Sequence, residues 1–216
     1  NDFRGSYRLQ NQTLPVCTDQ CDLGFHVSGN LKFSKHCAQI ASKSFFLIRA
    51  ILKGFSVRDP KILTSLFVIY VRPALEYAST VWNPQLQKNI QTLEKVQRYF
   101  TSKLPGLTNL PYPTRLAVCN IPSLQTRRTF VDLVQTYKII HNLSRLCSDD
   151  FFKIASDKTT RGHQLRLLLP HTRTNTRMFT FSIRVIPLWN ALPHNIVTAP
   201  TLANFKLLLR AHLSIT

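Results

Sequence analysis

The chain has 216 residues, 44% of them hydrophobic, with 28 Lys and Arg against 10 Asp and Glu, for a formal net charge of +18. Length and apolar content suffice for a buried core in one medium domain or two small ones, which excludes a disordered chain. So large a positive excess collects polyanions, because each phosphate neutralised releases condensed counterions.

The charge is unevenly placed. No acidic residue follows Asp157, whereas Lys158, Arg161, Arg166, Arg173, Arg177, Arg184, Lys206 and Arg210 do. The competing explanation is a basic protein whose charge is only solvation. The most apolar run, ILTSLFVIYV at 62–71, is half of the roughly 20 residues that span a bilayer and ends at Arg72, so it predicts a core helix and no membrane partner. Five cysteines, an odd number, argue for a reducing intracellular compartment, nucleus or cytoplasm. The chain starts at Asn1 and its single methionine is Met178, so a piece of a longer polypeptide is expected.

In chain order, DLGFHVS at 22–28 alternates Leu23, Phe25 and Val27 with Gly24, His26 and Ser28, the period of a half-buried strand. The preceding SYRLQNQTLPVC supplies a partner strand across Asn11 and Gln12. Helical spacing of Ile40, Phe45 or Phe46, Ile48 and Ile51 or Leu52 begins at about Ser34, a candidate N-cap, and stops at Gly54. Asp59 and Pro60 open a second helix, and Pro73 predicts a kink near 70–72 because it removes a backbone donor and crowds the preceding turn. Arg72 and Glu76 are four apart and can pair on one turn, with Tyr77 and Trp82 packing over the joint.

The run at 85–104 places Ile90, Leu93, Val96, Phe100 and Leu104 on one side and Lys88, Gln91, Lys95, Arg98 and Ser102 on another. A helix with one dry and one basic face can pack inward while meeting a phosphate backbone. The alternative is an ordinary solvated face with a Glu94 to Arg98 pair. A loop at 104–113, a short helix over 114–120 and a long helix after Ser123 follow, the last with Phe130, Leu133, Val134, Tyr137 and Ile140 on its apolar side. Arg127 and Arg128 fall in its first turn, where the helix dipole disfavours cations, so they either face a partner or lie over neighbouring surface. From Ala155 the chain becomes basic and loop-like, with HQLRLLL and RMFTF as candidate strands. Two amphipathic helices close it, anchored by Trp189 and Phe205.

No catalytic constellation is present. The only acidic doublet, Asp149 with Asp150, fits an N-cap better than a two-metal centre. Cys17, Cys21, His26, His36 and Cys37 match no standard zinc spacing, so no metal ligand is assigned.

The ordered series DLGFHVSGNLKFSKHC, RDPKILTSLFVIYVRPALEYASTVWNP, LEKVQRYFT, LPGLTNL, IPSLQTRRTFVDLVQTYKIIH, TRGHQLRL and FSIRVIPLWNALP resembles the C-terminal part of the reverse transcriptase of jockey-like non-LTR (LINE-type) retrotransposons. The likeness runs along nearly the whole chain. It implies a mainly α fold: a thumb-like helical bundle with a small N-terminal β-hairpin and a basic C-terminal extension with short strands. The implied divisions are 1–34, the tail of a missing palm; 35–154, the thumb-like region; and 155–216, the extension with two helices. The family's catalytic aspartates lie upstream and have no counterpart here, so magnesium is implied only for the missing palm and the chain alone is expected to be inactive. The implied partners are an RNA template, a DNA primer or target, and the rest of the polymerase. Residues carried over are Arg72, Pro73, Glu76, Tyr77 and Trp82, then Arg161, Gly162 and His163, then Arg184, Trp189 and Asn190. His194 and Asn195 stand where relatives often carry an acid after Leu-Pro, and Arg210 replaces another.

The candidate nucleic-acid contacts are Lys88, Lys95, Arg98, Arg127, Arg128, Arg161, His163, Arg166, Arg173 and Arg177; Arg72, Pro73, Glu76, Tyr77, Trp82 and Trp189 are assigned to scaffolding. A stand-alone basic RNA-binding module and a retroelement relic or interaction protein are the competing functions.

Overall fold

The computed structural model describes residues 7–10, 12–15, 17–56, 58–155 and 163–215. The protein is mainly α-helical, with small antiparallel hairpins at the N-terminal end. The strands β1 (Arg8–Leu9) and β2 (Gln12–Thr13) pair with each other, and β3 (Asp19–Asp22) pairs with β4 (Phe25–Ser28). The expected strand at 22–28 therefore shortens to β4, and its partner is β3, not a strand before Asn11. The turn lies at Leu23 and Gly24, both at positive φ (45° and 85°), a geometry that a two-residue hairpin turn requires and that glycine accepts without strain.

Helix α1 (Ser34–Gly54) buries Cys37, Ile40, Ala41, Ile48 and Ile51 at helical spacing. Ser34 is not its cap: Phe33 takes that place in the left-handed region, and the Ser34 hydroxyl accepts from Asn89 Nδ2 at 2.9 Å. Asp59 does cap α2 (Pro60–Leu66), its carboxylate accepting the Lys61 N–H at 2.8 Å. The expected break before Pro73 is a π-helical turn, Phe67–Val71, in which the Arg72 N–H reaches back to the Phe67 carbonyl before α3 (Arg72–Glu76) starts. Widening the ladder accommodates the proline ring and its missing donor. Ala78 in the left-handed region then turns the chain into α4 (Ser79–Trp82).

Helix α5 (Gln87–Ser102) runs parallel to α1: Asn89 meets Ser34 near their starts, and the Tyr99 ring meets Phe45 edge-on 5.4 Å away a similar distance along. Then come α6 (Tyr112–Cys119) and α7 (Leu124–Ile140), the latter capped by Ser123 Oγ on the Thr126 N–H at 3.0 Å. The short α8 (Ser148–Phe151) has Asp149 and Asp150 in its first turn, where they favour the helix dipole, while the N-cap itself is Cys147. Residues 153–155 and 166–168 meet at a single antiparallel bridge, Ile154 to Leu167, in place of a longer strand in HQLRLLL. RMFTF is not a strand: α9 (Asn175–Met178) occupies its start, because Thr174 caps a helical turn there. The chain ends with α10 (Phe181–Asn190), α11 (His194–Val197) and α12 (Leu202–His212).

Two apolar cores result. The first collects residues from Cys37 to Leu124 around Phe67, Trp82, Leu93 and Phe100. The second collects residues from Leu133 to Leu209 around Tyr137, Trp189 and Phe205. Helix α7 contributes to both, Leu124 to the first and Leu133, Val134, Tyr137 and Ile139 to the second. Among the described residues no helix is long and apolar enough to cross a membrane. All five cysteines are free thiols.

Candidate nucleic-acid interface

Helix α5 separates its two faces as its sequence predicts. Leu93, Val96, Phe100 and the following Leu104 are fully buried, while Lys88, Lys95 and Arg98 are exposed. Lys88 and Lys95 are two turns apart, about 10 Å along the axis. The Arg98 guanidinium lies over the Tyr112 ring at 4.9 Å from its centroid, and the Lys103 ammonium lies over Tyr99 at 5.5 Å, so aromatic faces steady two cations without neutralising them. No carboxylate among the described residues pairs with Lys88, Lys95 or Arg98. The alternative Glu94 to Arg98 pair does not form. Glu94 is buried on the other face, where its carboxylate accepts from the Tyr112 hydroxyl and from the Leu124 N–H at 3.4 Å. Burial, and then this bond, push the Tyr112 phenol far above its ordinary pKa.

The cations of α7 have the opposite fate. Arg127 forks onto Glu76, with Nη2 to Oε2 at 2.8 Å and Nε bonded to Oε1. Glu76 is thus held by Arg127, and the pairing expected with Arg72 gives way to one between two helices. Arg128 is 2% exposed, and its Nε donates to Asn83 Oδ1 at 3.1 Å. Burial lowers the Arg128 pKa, opposed first by Glu94. Both residues face protein, which revises the expectation that they contact a partner.

Asp132, one turn further along α7, is the centre of the joint between the cores. Its carboxylate accepts two bonds from Arg184, both 3.0 Å, and one from Asn83 Nδ2 at 2.9 Å. Arg184 also donates to the Thr80 carbonyl at 2.7 Å, so one guanidinium ties α4, α7 and α10 together. Burial raises the Asp132 pKa against the pull of Arg184 and Asn83.

Trp82 is fully buried, donates from Nε1 to the Tyr77 carbonyl at 2.6 Å and stands edge-on to the His36 ring at 4.8 Å. Tyr77 departs from expectation. It is 57% exposed and its hydroxyl reaches the Leu23 carbonyl at 3.0 Å, pinning the β3–β4 turn in place of covering the joint. Arg72 is half-buried, which lowers its pKa, and Pro73 is exposed.

Of the C-terminal candidates, His163 is buried and bonded through Nε2 to the Trp189 carbonyl at 3.0 Å. Trp189 is fully buried, and its Nε1 donates to the Leu165 carbonyl at 2.8 Å. Asn190 bonds both backbone groups of Leu167. These three side chains lace residues 163–167 to the end of α10, so His163 is a structural residue and not an outward contact. Arg166 is half-buried, while Arg173 and Arg177 are exposed. Arg161 lies outside the described residues, as does Gly162. The described residues contain no group of three or more metal-ligating side chains.

The sequence reading missed Asp132 and gave Glu76 and Glu94 other partners than the observed Arg127 and Tyr112, and these three carboxylates decide the fate of the nearby polar groups. A signal existed for Asp132, which stands among the apolar positions of α7, where a lone charge is costly without a partner. Its partner, 52 residues later, left no local trace.

No protein-family model matches the chain, and no solved structure matches it. An uncharacterized protein of Caenorhabditis elegans is 29% identical over 125 residues, which cover 56% of this chain and 61% of that protein. The match therefore spans less than two thirds of the relative's length.

Proposed function

We propose that this chain is the nucleic-acid-holding, thumb-like part of a non-LTR retrotransposon reverse transcriptase, and that the exposed row Lys88, Lys95 and Arg98 grips the backbone of an RNA template paired with a DNA primer or target. The observation that carries the reading is this row. Three cations with no carboxylate partner among the described residues lie on one side of a helix whose other side is anchored in the first core. Each can replace a counterion at a phosphate, and none is neutralised by another of the described residues. Arg173 and Arg177 are exposed as well. The chain carries no catalytic aspartates of its own in this reading, and polymerisation belongs to the parent enzyme.

The test is fluorescence anisotropy of the chain with a labelled RNA/DNA hybrid across several salt concentrations. The reading expects hybrid binding that weakens with salt at a slope of several phosphates, each contributing about 0.9. Absent or salt-independent binding by the folded chain contradicts it.

A further inference from the structure

A cleft of about 490 Å³ opens between the two cores, large enough for a nucleotide-sized ligand. Its walls come from both sides of the joint. Lys32, Phe33 and Gln85 belong to the first, and Gln135, Phe179 and Phe181 to the second. None of its lining residues is acidic. Phe33 and Phe181 are half-buried and Phe179 is 37% exposed, so aromatic surface faces the opening. Among the described residues, the Lys32 ammonium and the Gln85 and Gln135 carboxamides have no bonding partner.

That combination selects a ligand. A free phosphate keeps its water and gains nothing from phenylalanine rings, and a cation meets Lys32. A nucleobase has an apolar face that stacks on aromatic rings and a polar edge that carboxamides can bond, and it arrives on an anionic chain. The cleft also adjoins the cation row. Gln85 precedes Lys88 by three residues, within about 10 Å of chain, and Asn89 Nδ2 donates to the Lys32 carbonyl at 3.3 Å.

We propose that this cleft receives one unpaired nucleobase of a strand that leaves the α5 cation row, stacked on Phe179 with its edge toward Gln85 and Gln135. The proposal rests on the nucleic-acid reading above and adds a single-strand pocket to its duplex grip.

The test uses 2-aminopurine riboside 5′-monophosphate, whose fluorescence is quenched on stacking, titrated with the full chain and with F179A and Q85A. Wild type should quench saturably. F179A should bind at least about fivefold more weakly, the lower end of what one base–aromatic stack contributes, and F179Y should restore binding. Phe179 is exposed and Gln85 half-buried, and unchanged melting curves establish that both variants are folded. No saturable quench, or equal affinity in wild type and both variants, overturns the proposal. A blunt hybrid tests the duplex grip separately: nucleotide quenching without hybrid binding keeps the pocket and removes the grip.

Discussion

Helices α5 and α7 each carry closely spaced cations, and they use them in opposite ways. On α5, Lys88, Lys95 and Arg98 point to solvent, the last over the Tyr112 ring. On α7, Arg127 and Arg128 turn into the protein because Glu76 and Asn83 of preceding segments wait for them. The difference teaches that helical spacing tells which face a cation occupies, while a partner distant in sequence tells whether it is free. A basic patch counted from sequence mixes both kinds.

The comparison breaks most severely at the joint. Arg184→Ala leaves the Asp132 carboxylate buried without its cation and should cost about 3–5 kcal/mol in chemical denaturation. Trp82→Ala, which empties the centre of the first core, should cost a similar 3–5 kcal/mol or so. An unchanged midpoint for either removes the corresponding anchor from this account.

Acid should loosen the same core. Burial, then His26 and Lys43, lower the His36 pKa from 6.5 to about 4. Between those values the unfolded chain binds a proton at this site that the folded chain does not. Stability contributed by neutral His36 is therefore present above pH 6.5 and is lost as pH falls toward 4, on the order of 1–3 kcal/mol. His163 is shifted in the same direction, again mainly by burial. Thermal melts between pH 7 and 4.5 should show Tm falling, with a shallower fall in His36→Leu. Identical slopes in the two proteins would remove His36 from the explanation.

Arg127→Ala should cost less, about 1–2 kcal/mol, since its ion pair with Glu76 is partly exposed. It should leave the salt dependence of hybrid binding as in wild type, which separates a structural arginine from a phosphate contact.

Much of the fold was legible because its signals are local. Asp59 with Pro60 started α2, Ser123 capped α7, Pro73 marked the π turn, and the apolar spacing at 90–104 oriented α5. The strand partner of 25–28 was not, because Leu23 at positive φ hid a two-residue turn behind a residue that does not favour it. RMFTF alternates like a strand, but Thr174 caps the helical turn before it. The candidate site was half legible. The α5 row followed from periodicity, whereas the inward turns of Arg127, Arg128 and His163 depend on Glu76, Asn83 and Trp189, 51, 45 and 26 residues away.

The most direct test of the central claim sets wild type beside the triple variant Lys88→Gln, Lys95→Gln, Arg98→Gln in a salt titration against the RNA/DNA hybrid. The substitutions are solvent-facing and should change stability by no more than about 0.5 kcal/mol. If α5 grips the backbone, the slope of log affinity against log salt should fall by about 2 to 3, close to 0.9 per lost contact. A triple variant that is folded and binds with the wild-type slope would contradict the account.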